Sequence, residues 1–265
     1  MTLPASASLR VLETKVGDLG KVVVGFSGGA DSALLSYVAR KVLGRDGAIC
    51  VTAVSPSLAP EELADCLALA DEWDLDWRPV ATAEIESEDY ARNGTDRCYH
   101  CKTELMGALE PIARPLGATV VLGVNLDDMS DHRPGQRAAA ERGALFPMLE
   151  AGLTKADVRA LSRDLGLRTA DKPAAACLAS RVPYGTRVTL GVLGTVASAE
   201  SGLRALGFRA VRVRHYGDLA RLELPLEDLD RVVSHRARIV EAVRAAGYKY
   251  VTLDLEGLRS GNLNG

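Results

Sequence analysis

Between residues 22 and 123 the chain alternates short, β-branched apolar runs with longer segments whose apolar positions recur at helical spacing. Val22-Val23-Val24-Gly25-Phe26, Ile49-Cys50-Val51-Thr52-Ala53-Val54 and Thr119-Val120-Val121-Leu122-Gly123 read as buried strands. The segment beginning at Ala33 and the stretches 59–73 and 102–116 read as helices, the second with Pro60 in its opening turn. Strand, helix, strand in this order predicts a parallel sheet with helices on both faces, whose ligands sit beyond the carboxyl ends of the strands. Another helix is marked at 154–165, with Thr154 as N-cap, Asp157 three residues on, apolar Val158, Leu161 and Leu165, and Gly166 as the stop. Beyond Gly185 the pattern changes to a helix at 190–206, strands at 209–214 and 219–224, a helix at 226–246 and a strand at 248–253. Tyr216-Gly217-Asp218 between the first two strands predicts a hairpin. The expectation is an α/β domain over 1–185 and a small α+β domain over 186–265. No internal repeat or low-complexity tract interrupts either.

Ser27-Gly28-Gly29-Ala30-Asp31-Ser32 falls between the first strand and the first helix. Adjacent glycines let the main chain approach a ligand, and the helix start aims N–H groups and a positive dipole end at one point, which suits an anion. The turn lacks the lysine of the Gly-x-x-x-x-Gly-Lys-Ser/Thr loop and the spacing of the Gly-x-Gly-x-x-Gly fingerprint. It resembles the pyrophosphate loop of enzymes that split ATP into AMP and pyrophosphate. On that resemblance Asp31 helps hold magnesium while Ser27, Gly28, Gly29 and Ser32 cradle pyrophosphate. The plain alternative is a strand-to-helix turn that merely contains Gly-Gly and an Asp-Ser cap.

Composition narrows the classes. The 265 residues include 32 Lys and Arg against 35 Asp and Glu, a net charge of −3, so no global basic field argues for bulk nucleic-acid binding. The first twenty residues hold no signal-peptide core and no apolar run is long enough to span a bilayer, which reads as a cytoplasmic protein without a membrane partner. Five cysteines in a reducing compartment are better candidates for metal or chemistry than for disulfides.

Cys98-Tyr99-His100-Cys101 is a Cys-x-x-Cys pair, and Cys177 lies far downstream in a Pro/Ala-rich loop. Three uses remain open: three thiolates on an iron–sulfur cluster with one iron free, a catalytic thiol alone, or a zinc site completed by His100. Cys50 in a strand and Cys66 in a helix read as core. Asn125 and Asp128 follow a strand directly and so lie at the sheet edge of the pyrophosphate turn, positioned for the adenylate or its metal, or else in a solvated loop. Period-2 alternation puts Arg212 and Arg214 on one strand face, about 7 Å apart by the usual rise. That is a clamp for phosphate or carboxylate, or an ordinary charged outer face.

Together these residues resemble the LarE family of ATP-dependent sulfur transferases, which serve assembly of the nickel-pincer nucleotide cofactor. The resemblance covers nearly the whole chain. It is carried by Phe26 to Ser32, by Arg97-Cys98-Tyr99-His100-Cys101-Lys102, by Asp131-His132-Arg133-Pro134-Gly135 and by Leu149-Glu150-Ala151-Gly152-Leu153-Thr154-Lys155. Most specific are Asp171-Lys172-Pro173, the run from Cys177 to Gly185, and Tyr250-Val251-Thr252-Leu253-Asp254-Leu255-Glu256-Gly257. The resemblance implies an adenine-nucleotide α-hydrolase-like fold and a reaction in which MgATP adenylates the carboxylates of pyridinium-3,5-biscarboxylic acid mononucleotide, after which sulfur displaces AMP. Some members sacrifice the sulfur of a cysteine; others hold a four-iron, four-sulfur cluster on three. Cys98, Cys101 and Cys177 place this chain with the second group. The same carry-over implies that Ser180 and Arg181 act beside Cys177, that Glu200 lies near the acceptor, and that Arg212 and Arg214 take its phosphate. It also implies an external sulfide source and a homo-oligomer, a hexamer among the options. Competing readings are a tRNA-thiolating enzyme, an ammonia-using synthetase, a nucleotide sensor without chemistry, and single-turnover use of Cys177.

Overall fold

The computed structural model describes residues 5–129, 134–173 and 176–259. In chain order the helices are α1 (Ala5–Asp18), α2 (Ala30–Leu43), α3 (Pro60–Glu72), α4 (Glu88–Ala91), α5 (Arg97–Ala113), α6 (Pro134–Glu141), α7 (Pro147–Glu150), α8 (Lys155–Asp164), α9 (Leu190–Ala205), α10 (Leu229–Ser234) and α11 (Arg236–Ala245). The strands are β1 (Val22–Gly25), β2 (Ala48–Val54), β3 (Asp76–Ala81), β4 (Thr119–Leu122), β5 (Arg212–Tyr216), β6 (Leu219–Glu223) and β7 (Tyr250–Leu253). Two compact units result: one comprises 1–55, 60–84 and 98–175, the other 56–59, 85–97 and 176–265.

The first unit holds a four-stranded, all-parallel sheet in the order β3-β2-β1-β4. Alternation along β1 divides the core. Val22 and Val24 join Leu12, Leu34, Val38, Leu153 and Leu161 on one face, while Val23 joins Met106, Leu109 and Leu122 on the other. The chain runs outward from β1 to β3 and then returns to the other side of β1, so the strand order reverses between β1 and β4. In open parallel sheets the carboxyl ends at such a reversal form the ligand crevice. The Ser27–Ser32 turn leaves β1 there, and the 123–128 segment leaves β4 there.

In the second unit β5 and β6 form the expected hairpin, closed by Gly217 at φ +62, and β7 pairs parallel to β6. One face of this sheet packs Val213, Ala220 and Leu222 against Ala199 and Leu203 of α9 and Ile239 and Val243 of α11.

Four local readings change. α1 and β3 have no counterpart in the predicted elements; β3 contains Pro79, which an edge strand tolerates because one row of its N–H groups needs no partner. The 102–116 helix starts at Arg97, which puts Cys98 and Cys101 in its first turn. The paired strand is β5 and not 209–214, because the two-residue turn fixes the register from Tyr216↔Leu219 to Arg212↔Glu223. The 226–246 helix breaks at His235, where the Ser234 hydroxyl and the His235 ring compete for the Arg231 carbonyl at 2.9 Å each. Among the described residues no helix is long and apolar enough to cross a membrane.

Candidate active site

The turn after β1 has the backbone geometry of an anion-binding turn. Gly28 is buried at φ +68, in the left-handed region that glycine enters without penalty, and a Cβ there would stand 2.9 Å from the Cys66 sulfur. Gly29 is the N-cap of α2, and no side chain caps that end. The Ser32 hydroxyl instead folds back, accepting from the Ser27 amide at 3.2 Å and donating to the Gly29 carbonyl at 3.1 Å, with the Ser27 hydroxyl 3.1 Å away. Those bonds stiffen the loop and leave first-turn amides of α2 as donors for a ligand. Cys50 and Cys66 are buried beneath, their thiols pushed up by burial to about 12 and about 11, as core groups should be.

β4 meets this turn through Gly123, where a Cβ would lie 2.8 Å from the Ser32 amide nitrogen and 2.9 Å from the Asp31 carbonyl carbon. Both obstacles are backbone, so they cannot rotate away. Gly123→Ala is expected to displace the first turn of α2 and to cost about 1–3 kcal/mol of stability by overpacking, with ATP-dependent pyrophosphate release falling more than a hundredfold. Wild-type rates and an unchanged melting temperature in calorimetry would mean that the approach is not required.

Beyond Gly123 the chain brings Asn125 and Asp128 to Asp31. Asn125, fully buried, donates from Nδ2 to Asp31 Oδ1 at 2.8 Å and from its amide to Asp128 Oδ2 at 3.1 Å. Asp127 accepts from the Lys155 amide at 2.5 Å, seating this segment on the start of α8, whose Thr154–Asp157 capping box is formed as expected. Burial pushes the Asp31 carboxyl up; the Asn125 hydrogen bond opposes this, the Asp128 charge adds to it, and the Lys155 charge opposes it again. The net direction is upward, so the local negative charge is undercompensated. A hard cation relieves that, and magnesium is commonly held by one or two carboxylates plus phosphate oxygens, a donor set that Asp31 and Asp128 fit. Among the described residues no three His, Cys, Asp or Glu side chains are gathered as a metal site.

Two lysines here stand in the family motifs without having been given a role from sequence. Lys172 donates to the Gly28 carbonyl at 3.0 Å while paired with Asp65 at 2.5 Å and Glu62 at 2.8 Å. Burial would lower its pKa, but the two carboxylates outweigh that and raise it, so the ammonium is a fixed charge beside the phosphate turn. Lys155 acts on Asp31 from the first turn of α8. The sequence signals were Asp171-Lys172-Pro173 and the lysine that follows the Thr154 cap.

In the second unit Cys177 is exposed and stands at the start of a 3-10 turn, Leu178–Arg181. Arg181 donates to the carbonyls of Ala176 at 2.7 Å and Cys177 at 3.2 Å, and to the Ser180 hydroxyl at 3.0 Å. Its other edge meets Glu200 at 2.8 Å. Glu200 is fully buried on α9 and also accepts from Arg204 at 2.8 Å and the Val213 amide at 3.1 Å. Arg214 is 3% exposed, spans the Ser180 carbonyl at 2.7 Å and Glu223 at 2.9 Å, and keeps a buried Nε without a hydrogen-bond partner. Arg212 is the half-buried, reachable member. Burial lowers its pKa, and the charges of Arg181 and Arg214 lower it further. The positive charge that Arg181 and Arg214 place on Arg212 is of the kind an anion would relieve.

Cys98 is exposed and Cys101 half-buried, three residues apart on one side of the first turn of α5; both belong to the first unit and Cys177 to the second. None of the three is in a disulfide, and the Cys98 carbonyl is closely approached by Gly135, where a Cβ would be 2.9 Å away. Cysteine sulfur is the donor chemistry of an iron–sulfur cluster. Asp131, His132 and Arg133 of the family motif, and Ala174 and Ala175, lie outside the described residues.

A family profile described as NAD synthase matches residues 6–105, which span β1, the phosphate turn and the first half of the sheet. The chain is 40% identical to the pyridinium-3,5-bisthiocarboxylic acid mononucleotide synthase of Lactiplantibacillus plantarum, over 93% of this chain and 90% of that protein. It is 45% identical to an uncharacterized protein of Synechocystis sp. over 97% of both chains. An uncharacterized protein of Methanocaldococcus jannaschii is 27% identical over 91% of both.

Proposed function

The chain belongs to the family of the pyridinium-3,5-bisthiocarboxylic acid mononucleotide synthase, and from that premise we propose that it converts the carboxylates of pyridinium-3,5-biscarboxylic acid mononucleotide to thiocarboxylates at the expense of ATP. A free carboxylate is a poor electrophile. A carboxylate oxygen of the acceptor attacks the α-phosphorus of ATP, pyrophosphate departs onto the Ser27–Ser32 turn, and the acyl-adenylate forms. Sulfide then attacks the acyl carbon and AMP leaves with the former carboxylate oxygen. A second round on the other carboxylate gives the bisthiocarboxylate.

The observation that carries this reading is the match of charge to the two halves of the reaction. The first unit offers uncapped α2 amides and the Lys172 ammonium for phosphates, with Asp31 and Asp128 for magnesium. The second offers the half-buried guanidinium of Arg212, with the charge of Arg214 beside it, for the phosphate of the acceptor. Glu200 takes the part of a positioning group: its carboxylate is occupied by Arg181, Arg204 and the Val213 amide, so it acts on substrate through Arg181. A four-iron, four-sulfur cluster held by Cys98, Cys101 and Cys177 would supply a hydrosulfide nucleophile, so that no cysteine is consumed. Ser180, with Arg181 on its hydroxyl, lies beside Cys177 where the sulfur would be delivered.

The test compares the mononucleotide acceptor with its dephosphorylated nucleoside. The wild type is expected to prefer the mononucleotide by more than tenfold in acceptor-dependent pyrophosphate release. Arg212→Ala is expected to lose that preference with the ATP dependence unchanged. A variant that keeps the preference would return Arg212 to the charged surface.

A further inference from the structure

The run from Cys177 to Thr186 is mostly irregular chain, and its carbonyls need partners. Many come from two side chains that no part of the chemistry above uses. Asn93 is fully buried at φ +59, a left-handed conformation that asparagine accepts better than most residues. Its Nδ2 donates to the carbonyls of Val182 at 3.3 Å, Pro183 at 2.8 Å and Thr186 at 2.8 Å, and its own carbonyl accepts from the Gly185 amide at 3.0 Å. Arg97, also buried, donates from Nη1 to Asn93 Oδ1 and to the Ala179 carbonyl at 2.9 Å, and its guanidinium lies 5.7 Å from the Tyr184 ring centroid. The bond to Oδ1 decides which way the Asn93 amide faces, because only oxygen can meet a guanidinium; the NH₂ is thereby turned toward the three carbonyls. Arg181 and Arg214 hold the Ala176, Cys177 and Ser180 carbonyls of the same segment.

We infer that Asn93 and Arg97 are positioning residues for sulfur transfer: together they lock the 177–186 segment in the conformation that presents Cys177, and they take no part in ATP activation. The inference rests on the sulfur-transferase reading for its functional half, whereas the lock itself is independent of it. Removing a buried hub that serves several carbonyls leaves acceptors unsatisfied at residues 182–186, beyond the part of the segment that Arg181 and Arg214 anchor, so that part opens locally before the unit unfolds.

The full-length Asn93→Ala and Arg97→Lys variants test this with two readouts. Limited chymotrypsin cleavage after Tyr184, which is already 41% exposed, reports opening of the segment and is expected to quicken about tenfold in Asn93→Ala, as loss of a buried hydrogen-bond hub implies. The ratio of thiocarboxylate formed to AMP released reports sulfur delivery and is expected to fall at least tenfold, with pyrophosphate release at saturating acceptor within twofold of wild type. Arg97→Lys keeps the charge but loses the planar fork, and is expected to fall between the two. It also serves where Asn93→Ala does not fold. Unchanged cleavage and an unchanged ratio in Arg97→Lys would overturn the inference, as would pyrophosphate release falling in step with sulfur delivery. If the wild type itself makes no thiocarboxylate, the functional reading fails, and the cleavage rates alone decide for or against the lock.

Discussion

Replacing Asp31 by asparagine is expected to lower acceptor-dependent pyrophosphate release at least a thousandfold and, at the same time, to raise the melting temperature. On the proposed reaction the activity loss follows from the carboxylate's place between the phosphate turn and Asn125, where its charge would hold magnesium against the departing pyrophosphate. A thousandfold corresponds to about 4 kcal/mol of transition-state stabilisation. The stability gain has the opposite origin. Burial, with the Asp128 charge behind it, raises the folded pKa of Asp31 above its unfolded value. An acid with a raised folded pKa costs stability wherever it is ionised in the fold, and costs nothing below its unfolded pKa, where both states are protonated. Asparagine removes the charge and still accepts from Asn125. The variant should therefore be more stable than wild type at neutral pH, with the difference closing as pH falls into the carboxylate range. Melting curves between pH 4 and pH 8 without nucleotide check this, and a less stable variant at neutral pH would contradict it.

Glu200→Ala should do the reverse, by failing in the fold first. Glu200 is fully buried and compensates Arg181 and Arg204 at 2.8 Å each. Breaking a buried pair by removing one partner typically costs about 3–5 kcal/mol, because the other charge is left without compensation. Here two guanidiniums are left, along with the Val213 amide at the free edge of β5. Arg181 would lose the anchor that aims it at the Ala176 and Cys177 carbonyls, so product formation should fall along with stability. Glu200→Gln keeps an acceptor for the amide and separates the effects: a smaller loss of stability with a persisting loss of acceptor affinity. A melting temperature within a degree of wild type for Glu200→Ala would mean that the two arginines find other anions and that the carboxylate is dispensable.

The parallel sheet was legible because β1, β2 and β4 are continuous apolar runs, as strands buried on both faces must be, and because the glycine-rich turn falls where one of them ends. β3 was not, since Asp76-Trp77-Arg78-Pro79-Val80-Ala81 has only one well-buried neighbour and the composition of an edge. Asp31, Asn125 and Asp128 were readable as residues that follow adjacent strands, and the sheet brings them together through the β1–β4 reversal. Lys172 was not readable as a neighbour of Gly28. Their approach depends on the Asp65 and Glu62 carboxylates of α3, more than a hundred residues earlier, and no periodicity encodes it. The alternation in β5 put Arg212 and Arg214 on one face correctly but could not distinguish the half-buried guanidinium from the one already tied to Glu223. The segments 56–59 and 85–97 carry no signal that would group them with the chain beyond residue 176; they join it through tertiary hydrogen bonds, from the Leu178 amide to the Ser57 carbonyl at 2.8 Å and from the Asn93 side chain to the 182–186 carbonyls.

The most direct measurement is a mass spectrum of the acceptor after anaerobic incubation of the iron- and sulfide-reconstituted protein with MgATP, sulfide and pyridinium-3,5-biscarboxylic acid mononucleotide. The expected result is exchange of carboxylate oxygen for sulfur at both positions, in molar excess over the protein, with one AMP and one pyrophosphate released for each sulfur installed. An acceptor recovered unchanged, with no AMP formed in response to it, would contradict the proposed reaction, and product limited to one sulfur per chain would contradict turnover on an external sulfide by making Cys177 the donor.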